Sequence, residues 1–200
     1  MKPIEWLTGD VADEIIFHEA GHFVMGMLLG IEEAGIQFFR AGSCDSARSH
    51  YTAEANDQPR RIQRSLAGMY SQALTCPSSI DDELRSLILK GALFEREEDL
   101  KGTAVIQRRL KEHGFLGDTI IAMDLAAEIS PKPEDILRVL RRCHSYVCDA
   151  FEPTRVAHIV RGVHQDIRLW LEEDDDWLAF DVRMLFYSIP RATKTFRKLV

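Results

Sequence analysis

Three residues in the run HEAGH have the types and spacing to do chemistry: His18, Glu19 and His22. An α-helix turns about 100° per residue, so side chains four apart lie on one face about one turn apart. On a helix, His18 and His22 therefore offer two imidazole nitrogens to a single tetrahedral zinc ion. Glu19 projects beside that face, where it can take a proton from an activated water and return it to a leaving amine. With 7 His in 200 residues, an H-E-x-x-H arises by chance only about 0.02 times per chain. The bland alternative, two core histidines near a surface glutamate, would bury two unpartnered imidazoles at a cost. Gly21 between them weakens a helix by up to about 1 kcal/mol relative to alanine, a cost better tolerated where another element approaches closely.

A catalytic zinc needs three protein ligands and one open position. The extended H-E-x-x-H-x-x-G-x-x-H motif is excluded, because Met25 and Leu28 stand where it requires Gly and His. The third donor must come from another element, and the segment from Glu95 to Leu100 (EREEDL) is rich in candidates. By helical phase Asp99 shares an inward stripe with Thr103, Ile106 and Leu110. Glu95 lies one turn earlier on that stripe, Glu98 is intermediate, and Glu97 points to solvent. A solvated acidic first turn, favoured by the helix dipole, is the competing reading of the segment. His50, His113, His144, His158 and His164 read better as surface or hydrogen-bonded core residues.

The elements that must position these groups are mostly helices. Apolar residues recur at helical spacing from Val11 to Leu29 on two stripes, which predicts a central helix packed against several neighbours. Gly35 to Arg40 reads as a short strand with Ser49 to Ala53 (SHYTA) as its partner, joined by a turn-like AGSCDSA. If SHYTA is an exposed edge, it can hold an extended peptide by strand addition, and His50 and Tyr51 would border the cleft. Further helices are predicted over about 58–74, 80–90, 94–111, 117–129, 133–151 and 154–171, with a last one over 176–188. One domain is the simplest account, residues 1–175, with 176–200 as a C-terminal helical extension of it.

The motifs resemble a known family. HEAGH inside IIFHEAGHFVMGMLLG is similar to the peptidase domain of the FtsH-type ATP-dependent zinc proteases, in which such a helix is followed by a short β segment. LAGMYSQAL (Leu66 to Leu74) resembles that family's helix with a Leu-x-Gly…Glu pattern, and EDLKGTA (Glu98 to Ala104) resembles its third-ligand segment. The resemblance covers roughly Val11 to Lys111. It implies a mainly α, helical zincin-type metallopeptidase domain with a short β segment after the HEAGH helix. It also implies His18, His22 and Asp99 as zinc ligands and Glu19 as the catalytic base. Three features depart from the pattern: Gln72 stands where Glu is expected, EREE precedes Asp99, and no G-x-x-x-x-G-K-[ST] nucleotide-binding loop is present.

Composition narrows the classes further. The formal net charge is −7 and the pI about 5.5, which argues against nucleic acid as a partner, since phosphate neutralisation needs a basic surface. The cysteines Cys44, Cys76, Cys143 and Cys148 form no C-x-x-C pair and fit a reducing compartment. The acidic N-terminal residues lack a signal-peptide pattern, and the longest apolar run, Phe23 to Ile31, is too short to span a bilayer. The expectation is a cytoplasmic, soluble zinc metallopeptidase acting on flexible or unfolded polypeptide, with no membrane partner and an unfolding ATPase, if any, supplied by another chain. The competing expectation is a non-catalytic descendant that keeps the fold and acts as a binding or regulatory module.

Overall fold

In the computed structural model the described residues are 10–30, 33–41, 44–51, 57–95, 104–151, 155–173 and 182–185. The chain is mainly helical. Helix α1 spans Asp10–Leu28, and residues 19–26 are buried without interruption, as two apolar stripes on one helix require. Its principal partner is α2, Gln58–Thr75. Asp57 caps α2 by accepting the Arg60 backbone N–H at 3.2 Å, with Pro59 in the first turn. Pro77 follows at the other end, where a 3-10 turn, Pro77–Ser79, leads on.

Helix α3 spans Asp82–Leu89 and is capped by Asp81, which accepts the Leu84 N–H at 2.9 Å. A 3-10 turn at Ala92–Phe94 is tied to the later chain by Arg141, whose Nε donates to the Phe94 carbonyl at 2.7 Å and whose guanidinium also reaches the Glu95 carbonyl. Helices α4 (Ala104–Glu112), α5 (Phe115–Ile129), α6 (Pro133–Ala150) and α7 (Arg155–Glu173) complete the helical set. Gly114 between α4 and α5 has φ of 75°, a left-handed turn that glycine makes without strain and that starts α5 directly after α4. α5 and α6 pack on α2, and α7 packs on α1. The common core is built from Ile16, Val24, Met25, Leu66, Met69, Phe115, Leu140 and Phe151, each fully or almost fully buried.

Strand β1, Glu33–Ala41, pairs antiparallel with β2, Cys44–Tyr51, with Ile36 opposite Ser49 and Phe38 opposite Ala47. The turn is tighter than its composition suggests: much of AGSCDSA belongs to the strands. A third strand, β3 (Val182–Leu185), pairs antiparallel with the other side of β1, giving the order β2-β1-β3. This corrects the helix expected over 176–188. Val182 to Leu185 meet an unpaired strand edge, and a ladder partner outweighs local helical periodicity. Residues 174–181 and 186–200 lie outside the described set, as do 96–103. Among the described residues, no helix is long and apolar enough to cross a membrane.

Candidate metal centre

The site begins where α1 and α2 cross. A Cβ built on Gly21 would lie 2.4 Å from the Ser71 Cβ and 2.6 Å from the Ala67 carbonyl oxygen. Gly21 is thus the close-approach point that its place in HEAGH suggested. Ser71 ties the crossing by donating its hydroxyl to the Phe17 carbonyl at 2.8 Å. The crossing turns one face of α1 onto α2 and carries His22 to the Arg64 carbonyl, 2.8 Å from its Nδ1. A carbonyl only accepts, so Nδ1 carries the proton and the neutral ring presents a bare Nε2.

That Nε2 stands 3.1 Å from Nε2 of His18, the rings meeting edge-on at 85°. A third donor reaches them from α5. Oδ2 of Asp118 lies 2.8 Å from His18 Nε2 and 3.5 Å from His22 Nε2. Despite these short distances, that buried oxygen has no hydrogen-bond partner of acceptable geometry. The three atoms thus cluster within 3.5 Å of one another, the two imidazole nitrogens at hydrogen-bonding distance. For metal–donor bonds of roughly 2.0–2.1 Å, tetrahedral donors stand about 3.3 Å apart, which the three separations bracket. Glu19 is buried beside them, and ligand atoms of His18, Glu19 and His22 lie within 4.8 Å of one another. The donor set of two imidazoles and one carboxylate, with a carboxylate oxygen that makes no hydrogen bond, fits a metal ion.

The electrostatics agree with a cation receptor. Burial alone would pull the His22 pKa down, but the Asp118 carboxylate, with Glu19 and the Arg64 carbonyl, raises it to about 9. Burial would push the Asp118 carboxyl up, yet His22 and His18 hold it well below the usual carboxylate range. Phe115, the first residue of α5, stacks on the His18 ring at 5.6 Å and 11° and walls the cluster on that side.

Of the residues singled out in the sequence, His18, Glu19 and His22 are brought together. Asp99, Glu97 and Glu98 lie outside the described residues, and Glu95 is exposed at the end of the Ala92–Phe94 turn. Gln72 is buried and donates its amide to the Ser79 hydroxyl at 3.2 Å, so it serves the end of α2 rather than the ligand cluster. His113 stacks on Phe115 at 6.0 Å, and His158 is exposed. His164 pairs with Asp13 at 3.0 Å. His144 is buried without the hydrogen bond expected of it. Asp118 was missed. Its signal was a lone acid on the stripe Phe115, Asp118, Ala122, Leu125, whose other members are all buried.

No family model, curated protein or solved structure matches the chain.

Proposed function

We propose that this protein is a zinc-dependent metallopeptidase, hydrolysing peptide bonds in flexible or unfolded polypeptide. The observation that carries the reading is the convergence of His18 Nε2, His22 Nε2 and Asp118 Oδ2 at separations of 2.8, 3.1 and 3.5 Å. Zinc held there supplies Lewis acidity and brings the pKa of water towards about 7. The chain supplies the rest. His18, His22 and Asp118 hold the ion from two helices that are fixed to one core, and the Arg64 carbonyl keeps His22 in the tautomer with a bare Nε2. Glu19, buried beside the ligand atoms, accepts the proton of the attacking water and delivers it to the leaving amine.

An extended substrate suits the neighbouring sheet. Among the described residues β2 lies at the edge of the sheet, and it packs against α1; its outer backbone groups would take a peptide as a further strand. The likeness to the FtsH-type peptidase domain is part of this proposal, resting on HEAGH and LAGMYSQAL. Any unfolding of the substrate falls to an ATPase on another chain. Cys143 and Cys148 are thiols outside any disulfide, which fits work in the reducing cytoplasm.

The test is zinc content by elemental mass spectrometry together with cleavage of an unstructured protein, for wild type and Glu19→Gln. The expected outcome is about one zinc per chain in both, with cleavage in the variant lower by about 10²–10⁴-fold. Full cleavage by Glu19→Gln sinks the mechanism. Zinc in both with cleavage by neither transfers the protein to the binding-module reading.

A further inference from the structure

The two imidazoles meet α2 at a place where that helix has no side chain. A Cβ built on Gly68 would stand 2.5 Å from His22 Nε2, 2.6 Å from His22 Cε1 and 2.8 Å from His18 Nε2. All three distances are far inside van der Waals contact, and two of the three atoms are donors of the cluster. Backbone conformation does not explain this glycine. The described glycines with positive φ are Gly30, Gly91 and Gly114, and Gly68 sits inside a regular helix. There glycine costs about 1 kcal/mol relative to alanine, so something else must hold it in place.

The reason lies in how α2 touches the rings. Arg64 and Gly68 are four apart on one face. The Arg64 carbonyl accepts a hydrogen bond from His22 Nδ1–H at 2.8 Å and, by helix geometry, is also the acceptor for the Gly68 N–H. One peptide turn therefore both sets the His22 tautomer and presents a bare Cα to the two coordinating nitrogens.

We propose that Gly68 is the positioning residue of the metal centre: its missing side chain lets α2 act as a template that holds both imidazoles at coordinating separation. This deepens the metal reading and rests on it for the metal, but the steric claim stands without any ion. A methyl group at position 68 displaces the His22 ring, and with it the bare nitrogen, while helix propensity improves.

Two measurements test this. The first is zinc affinity by chelator competition, with the visible spectrum of the cobalt-substituted protein, for wild type and Gly68→Ala. Gly68→Ala is expected to weaken zinc by more than about 100-fold and to change the cobalt bands. Affinity within about threefold of wild type, with an unchanged spectrum, overturns the proposal. The second is a stability cycle on metal-free protein with the double variant His18→Ala/His22→Ala, which removes both rings that the methyl group would strike. Gly68→Ala should raise the unfolding constant at least about tenfold in wild type and leave it unchanged or lower in the His18→Ala/His22→Ala background. Equal effects in both backgrounds overturn the proposal. Gly21→Ala, which strikes the Ser71 Cβ and the Ala67 carbonyl instead, should destabilise both backgrounds alike. Should Gly68→Ala alone fail to fold, the triple variant His18→Ala/His22→Ala/Gly68→Ala must fold as His18→Ala/His22→Ala does; its failure also overturns the proposal. A wild-type chain that holds no zinc sinks the peptidase reading and leaves the cycle to decide on Gly68.

Discussion

Two buried histidines pack against the same helix and have opposite characters. His22 meets α2 through Arg64 and Gly68, with the Asp118 carboxylate 3.5 Å away, and its pKa stands at about 9. His144, on α6, meets α2 through Tyr70 at 6.4 Å and packs against Phe94 at 5.6 Å, both edge-on. Neither of its ring nitrogens makes a hydrogen bond of good geometry, and burial lowers its pKa to about 4, with the Ile88 backbone pulling the other way. Burial disfavours the charged ring in both. What differs is the company: two carboxylates and a carbonyl in one pocket, aromatic edges in the other. The first pocket calls for a positive charge and the second excludes one. His164 stands between them. It has a carboxylate at 3.0 Å, but Asp13 is shared with Arg168 at 2.7 Å, and the net shift remains downward, burial being the largest cause.

Removing Asp118 should break the contrast most sharply. Asp118→Ala is expected to lower zinc affinity by more than about 100-fold, beyond what loss of an outer-sphere partner does, and elemental analysis beside Asp99→Ala reads it. Metal loss in Asp99→Ala alone would make Asp118 an outer partner and return the third position to the EREEDL segment. In the metal-free variant His22 also loses its main source of positive shift, so its pKa should fall from about 9 towards the His144 type, visible by NMR titration.

The pH dependence of stability sharpens the other side. Between about pH 6.5 and 4 the unfolded chain protonates at position 144 while the folded chain does not. The unfolded state then binds more protons, so stability rises with pH across that window and is lost as pH falls through it. The loss at pH 4 is about 3 kcal/mol. His144→Leu should remove that share of the acid limb in urea unfolding at pH 7 and pH 4; an unchanged limb would show that the ring is solvated or partnered. The smallest effect is expected at His164. Arg168→Met removes a cation that lowers its pKa, so the pKa should rise, by no more than about one unit for so accessible a pair. No rise would mean that burial and Asp13 set it without Arg168.

Much of the site was legible along the chain because its first part is local. His18, Glu19 and His22 lie on one helix, where spacing alone fixes which side chains share a face. The same holds for the core stripes of α1 and for the glycine at position 21, whose cost pointed to a close neighbour before the neighbour was known. The strand at Val182 to Leu185 was not legible, because its pairing partner is β1, far away in sequence. Asp118 was hidden for a related reason. On its own stripe it is one acid among apolar residues, and only the packing of α5 on α2 brings it to the histidines.

The sequence by itself therefore determined that two imidazoles meet on one helical face with a glutamate beside it, since a helix is a local, periodic object. Only the tertiary structure decided which carboxylate faces them and why Gly68 bears no side chain. Those are distances between helices, and such distances come from packing.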